Sequence, residues 1–188
     1  MLRKRVQEVD GIVVATVLLV GAAAVALVMT LVLAGPAGAA SGGVGMKSSS
    51  GKGGKARLLR SGRAIPPPDA PRRVVRAIEA GNKIRRKPYR YGGGHRRFRD
   101  RGYDCSGAVS FVLRGARMVR SPLDSSGLMR WGRRGKGHWI TVYAHGGHAY
   151  MVVAGLRFDT SDTGGKGPRW HKDKRSKRGF KVRHFRNY

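Results

Sequence analysis

Between Gly11 and Ala34 the chain carries no charged side chain, and Thr16 and Thr30 are its only clearly polar residues. A run of this length matches the about 20 apolar residues that cross a bilayer and exceeds the roughly 7–15 of a signal-peptide core. Arg3, Lys4 and Arg5 precede it, the order that keeps an amino terminus in the cytoplasm and sends the downstream chain outside. Just beyond it, Ala37-Gly38-Ala39 offers a small-residue cleavage pattern. Residues 1–10 therefore read as a basic cytoplasmic start, and 11–35 as either a retained anchor or a long signal peptide. A buried core helix fits poorly between a basic start and a glycine-rich stretch. The remainder of the 188 residues is enough for one domain of ordinary size, expected outside the cytoplasm.

Residues 36–68 read as a linker. They are rich in Gly, Ser, Ala and Lys, and Pro66-Pro67-Pro68 closes them with a stiff piece. A folded domain is expected over 69–188. Asp69 is a candidate cap for a helix with Pro71 in its first turn, Val74, Val75, Ile78 and Ile84 at near-helical spacing, and a stop at Gly81-Asn82. Three consecutive glycines, Gly92–Gly94, make the next stretch a loop that brings backbone close to something else. No Lys-Ser or Lys-Thr comes after them, so they do not read as a phosphate cradle.

Asp104 then caps a second helix that starts at Cys105 and closes near Gly115, with Ala108, Val109, Phe111, Val112 and Leu113 as its apolar body. Ser121–Gly137 is polar. After it the composition turns to β-formers: strands are expected at His138–Ala144, His148–Ala154 and Arg157–Thr160, a loop at 163–178 and a last strand at Gly179–Phe185. Helices followed by a meander of strands describe an α+β domain with helices packed on an antiparallel sheet.

The net charge is +29, from 39 Lys and Arg against 10 Asp and Glu, and only four of the basic residues precede position 51. Such a surface suits polyanionic surroundings: cell-wall polymers, acidic lipid head groups or nucleic acid. Arg and Lys interleaved with Tyr91, Phe98 and Tyr103 keep a nucleic-acid binder open, although so basic a protein binds nucleic acid non-specifically in any case.

Cys105 is the only cysteine, which excludes an intramolecular disulfide and leaves a buried spectator or a nucleophile. At a helix amino terminus, unpaired N–H groups and the helix dipole favour its thiolate. A base and an orienting partner are then needed. His148 opens an expected strand and Asp159 lies on the next, so adjacent antiparallel strands can set them side by side. His138 and His145 are rival bases. Ser106 lacks the Gly-x-Ser-x-Gly elbow of a serine hydrolase, and no His/Cys spacing completes a metal site. Trp131, Trp139 and Trp170 read as core or groove-lining residues.

Three segments in order, Pro88-Tyr89-Arg90-Tyr91-Gly92-Gly93, Tyr103-Asp104-Cys105-Ser106-Gly107 and Gly147-His148-Ala149-Tyr150-Met151-Val152-Val153, resemble the NlpC-type cell-wall peptidases, over roughly residues 70–165. These are papain-like cysteine hydrolases that cut peptidoglycan stem peptides. The resemblance implies that Cys105 is the nucleophile, His148 the general base and Asp159 the third polar residue, with the Tyr89 hydroxyl helping to shape the oxyanion site. It also implies no cofactor or metal, peptidoglycan as substrate, and a bond between D-glutamate and a diamino acid. An inactive wall-binding module of the same fold is the alternative. The arginine-rich loop between Tyr91 and Cys105 departs from the family pattern, as does the lack of a Pro-Gly-Asp-Leu stretch before the strands.

Overall fold

A computed structural model describes residues 54–188; the expected anchor or signal segment at 11–35 and the first part of the linker lie outside them. No helix among the described residues is long and apolar enough to cross a membrane. The fold is α+β. In chain order the elements are β1 (Arg57–Leu58), β2 (Ala64–Ile65), α1 (Arg72–Ile84), α2 (Cys105–Gly115), α3 (Ser125–Arg130), β3 (Arg133–Arg134), β4 (Ile140–His145), β5 (His148–Val153), β6 (Leu156–Asp159), β7 (Arg169–His171) and β8 (Lys181–His184).

Six strands form one antiparallel sheet in the order β3-β8-β4-β5-β6-β7. α1 and α2 pack on each other, α2 lies on β5 and β6, and α3 rests against β4. Val74 and Ile78 of α1, Val109, Val112 and Leu113 of α2, and Ile140, Val142, Met151, Val153 and Phe158 of the sheet are all buried in the core between them. β5 and β6 therefore face the helix that begins at Cys105.

Residues 57–65, which composition alone makes part of a spacer, pair as a small antiparallel hairpin of β1 and β2. Its anchor is Asn82. The Asn82 amide accepts from the Ala64 N–H at 2.9 Å and donates to the Ala64 carbonyl at 2.8 Å, and it also accepts from the Trp170 indole N–H at 3.2 Å. These bonds explain why α1 runs through Gly81-Asn82 instead of stopping there. Gly81 lies against the Trp170 ring, where a Cβ would overlap the indole, so the tertiary neighbour overrides the weak helix propensity of both residues. At the other end Asp69 does not cap α1. The cap position is Pro71, with no side-chain bond, and the Asp69 carboxylate accepts from the Gly54 N–H at 3.0 Å instead.

α2 begins where the sequence puts it. Asp104 caps it, its Oδ1 accepting from the Gly107 N–H at 2.8 Å, as an N-cap carboxylate does. The polar stretch 121–137 contains the short α3, capped by Asp124, and the edge strand β3, neither of which has an apolar period to announce it. β7 likewise interrupts the expected loop 163–178; its Trp170 is buried against Phe158, ring centroids 4.6 Å apart.

The triple-glycine loop laps over the start of α2. Asp104 draws it in, Oδ2 accepting from the Gly92 N–H at 3.1 Å, while the Asp104 N–H donates to the Gly93 carbonyl at 3.3 Å. Gly107 sits directly beneath that carbonyl, and a Cβ there would collide with it and crowd the Asp104 carboxylate. Gly107→Ala is therefore expected to destabilise the protein by roughly 1–3 kcal/mol through overpacking, with a lowered midpoint in urea unfolding. An unchanged midpoint would mean the loop can lift away at no cost.

Candidate active site

Cys105 is the first residue of α2, so its backbone N–H has no intrahelical acceptor and points out with the positive end of the helix dipole. The thiol is partly exposed, at the floor of a cleft of about 410 Å³ that is also lined by Tyr89, Tyr91, His95, Ser126 and Gly147. Across from it, His148 opens β5. His148 and the Ala149 backbone N–H are the groups whose influence favours the ionised Cys105 thiol.

Asp159, the last residue of β6, completes the line: its Oδ1 is 2.8 Å from His148 Nε2. The carboxylate is fully buried and His148 is 15% exposed. Because an ionised Asp only accepts, Nε2 carries the proton, and Nδ1 is the nitrogen left for the thiol. The Ser161 hydroxyl also lies 3.0 Å from Nε2, and the Ser161 N–H donates to Asp159 Oδ1 at 3.0 Å.

The second carboxylate oxygen is held by cations. Asp159 Oδ2 accepts from Arg157 at 2.9 Å and from Arg175 at 3.2 Å. Arg157 is only 2% exposed and is shared with Asp162 at 3.1 Å and Asp173 at 2.7 Å. Arg175 lies over the Tyr150 and Phe180 rings, 5.7 and 5.9 Å from their centroids. The loop 162–178 is thus tied to the same carboxylate that orients His148.

These contacts set the electrostatics. Burial pushes the Cys105 thiol up, but the His148 hydrogen bond, the Ala149 N–H and the His148 charge outweigh it and leave the thiol below its ordinary value. Burial opposes the charged form of His148 too, yet Asp159 and Cys105 carry its pKa up to about 9. Asp159 is raised by burial and lowered more by His148, the Ser161 N–H and Arg175, to about 2. All three shifts favour a thiolate–imidazolium–carboxylate line, the state in which a cysteine is nucleophilic near neutral pH.

A dependence of stability on pH results. The raised His148 pKa contributes stability that is complete below its unfolded value of 6.5 and is lost as pH rises through about 9. The depressed Asp159 pKa contributes stability present above 3.8 and lost as pH falls towards 2. The lowered Cys105 pKa works against the alkaline loss, adding stability as pH rises towards 9, so the unopposed expectation is a thermal midpoint that falls at acid pH as Asp159 takes up its proton. That acid fall should shrink in Asp159→Ala; a fall of the same size in that variant would assign it to other groups.

Of the sequence candidates, Cys105, His148 and Asp159 come together, and Tyr89 joins Cys105 along the cleft. Tyr89 is 43% exposed and is held by its bridge to Tyr103. Burial, then the Cys105 and Asp104 charges, raise its pKa, so the phenol keeps its proton and can donate. The rival bases sit elsewhere. His145 is paired with His148 across the β4–β5 hairpin, with its Nδ1 accepting from the Gly147 N–H at 3.0 Å, and His138 packs edge-on against Trp139 before β4 begins.

Sequence reasoning missed His95, Ser161, Arg157 and Arg175. His95 lines the cleft, its Nε2 3.0 Å from both Asp104 and Ser106; its place directly after the glycines that meet Asp104 was the one available signal. Arg157 and Arg175 were indistinguishable from the many surface arginines.

The fold and site define an α+β protein with a cysteine at a helix amino terminus facing a histidine and an aspartate on neighbouring antiparallel strands. No family model matches the sequence, and no curated protein matches it. Among solved structures the chain is similar to the P60 domain of antigen MAP1204 from M. avium subspecies paratuberculosis, at 20% identity over 59% of this chain and 93% of that one, with a TM-score of 0.43. It is similar to the peptidoglycan hydrolase RipB from Mycobacterium tuberculosis at 21% identity, over 66% of this chain and 70% of that one, with a TM-score of 0.49. An NlpC/P60 family protein from Bacillus cereus is similar at 17% identity, over 68% of this chain and 43% of that one, with a TM-score of 0.46.

Proposed function

We propose that this chain is a cysteine peptidase or amidase that hydrolyses peptidoglycan stem peptides. The observation that carries this reading is a cysteine at the start of α2 whose thiol is held below its ordinary value by His148, with Asp159 2.8 Å from that imidazole. The three motif segments support the substrate class, and by the same resemblance the bond joins D-glutamate to a diamino acid.

In the mechanism, the Cys105 thiolate attacks the amide carbonyl, and the oxyanion is received by the Cys105 N–H with the Tyr89 hydroxyl beside it. The His148 imidazolium gives its proton to the leaving amine and then takes one from the water that releases the acyl group from sulfur. Asp159 keeps the imidazole in the tautomer whose Nδ1 faces the sulfur. The segment 11–35 would hold the enzyme at the membrane or export it, the linker would let it reach the wall, and the basic surface would keep it among anionic wall polymers.

Incubating the full chain with purified peptidoglycan is expected to release new amino groups, and mass spectrometry of the products identifies the bond cut. Binding to wall material with no amino groups released would instead favour the non-catalytic module.

A further inference from the structure

Next to the cleft lies a second pocket of about 500 Å³ lined by Arg90, Arg96 and Arg97, with Asp100 as its acidic wall and Tyr91 and Gly92 at its edge. Tyr91 and Gly92 also line the Cys105 cleft, so the two spaces are immediate neighbours that share these residues. Tyr91, 90% exposed, stands at the junction.

The charges in this pocket do not cancel. Asp100 accepts from the Gly94 N–H at 3.1 Å and the Arg101 N–H at 2.6 Å, and Arg90 approaches it at 3.8 Å. Its carboxylate thus shapes the loop and interacts with both Arg90 and Arg97, a single negative charge against the three guanidiniums of the pocket. Neither Arg96 nor Arg97 has an ion pair among the described residues. The loop carrying them is fixed at several points. The Tyr103 hydroxyl donates to the Phe98 carbonyl at 2.9 Å, the Arg114 guanidinium lies 5.4 Å from the centre of the Phe98 ring, and Gly92 is held to Asp104. Two exposed guanidiniums on an anchored loop form a receptor for an oxyanion, and guanidinium is the group best matched to a carboxylate.

We infer that the pocket formed by Arg90, Arg96 and Arg97 is a subsite for a carboxylate carried by the peptide whose bond lies at Cys105. Adjacency across Tyr91 and Gly92 argues that the anion belongs to the molecule in the cleft and not to a separate polymer. The inference rests on the proposed peptide substrate and adds a specificity element to it: peptides with a free carboxylate on the Tyr91 side of the cleft are preferred over those in which it is a neutral amide.

The test uses the full chain carrying Cys105→Ala, so that binding is read without turnover. Two soluble stem peptides, identical except that one has a free carboxylate and the other its amide at the glutamate next to the diamino acid, are titrated by calorimetry. The carboxylate peptide is expected to bind roughly 10-fold or more tightly. Adding Arg96→Gln and Arg97→Gln should remove that difference and leave the affinity for the amide peptide unmoved. Retention of the preference in that variant overturns the inference, as does an equal loss for both peptides or equal binding of both before substitution. If both peptides bind alike and a polyphosphate chain binds through Arg96 and Arg97, the pocket reads a neighbouring phosphopolymer and the inference falls. Failure of the peptidase reading looks different: the peptides bind as stated, but the chain with Cys105 intact leaves them uncut.

Discussion

Replacement of Cys105 by Ala is expected to lower stem-peptide hydrolysis by roughly 10⁴-fold or more, the size of effect seen when the nucleophile of a covalent hydrolase is removed. The change takes one sulfur from a partly exposed position at the start of α2. It leaves the Asp104 cap, the packing of Val109, Val112 and Leu113, and the His148–Asp159 bond in place. Stability is thus expected to stay within about 1 kcal/mol of the starting protein. Amino-group release with and without the substitution, beside an unfolding curve of each, separates loss of chemistry from loss of fold. Full activity in Cys105→Ala would reject the mechanism outright.

Asp159→Ala is expected to do two kinds of damage at once. Activity should fall by roughly 10²–10⁴-fold, because the imidazole loses the acceptor that fixes its tautomer and the charge that keeps it protonated beside the thiolate. The alkaline limit of activity should move below the His148 value of about 9, since Asp159 provides the largest upward push on that ring. The fold should lose about 3–5 kcal/mol as well, because Arg157, buried to 2% exposure, would face only Asp162 and Asp173, both largely exposed. Asp159→Asn keeps an acceptor for Nε2–H and should recover part of the activity while remaining destabilised, since the amide cannot balance two guanidiniums. Equal losses of activity and stability in the two variants would point to a purely structural carboxylate. pH–rate profiles and urea midpoints distinguish these outcomes.

The Asp104-Cys105-Ser106-Gly107 start of α2 was legible because a cap, a glycine and an apolar helix body succeed each other locally. The β4–β5 hairpin and β6 were legible because β-formers alternate with glycine turns. These same features put Cys105 at a helix amino terminus and His148 and Asp159 on adjacent strands, while spacing alone left His138 and His145 open as bases and the family resemblance selected His148. Elements with a weak local signal were hidden. The β1–β2 hairpin reads as spacer, yet Asn82 fixes it from a residue 18 positions away, and α1 runs past Gly81-Asn82 because Trp170, 88 positions from Asn82, lies there.

By itself the sequence determined the α+β order of helices and strands and the place of Cys105 at a helix start, because these are written in contiguous residues and strand alternation; His148 and Asp159 were singled out as its partners by the family resemblance. The tertiary structure decided which arginines matter. Arg157 and Arg175 converge on Asp159, whereas Arg90, Arg96 and Arg97 gather beside the cleft around the single carboxylate of Asp100. The physical reason is that charge acts through space over a few ångströms. A guanidinium's partner is set by what the fold brings against it, and in a chain with 39 basic residues the local sequence around any one of them says almost nothing about that.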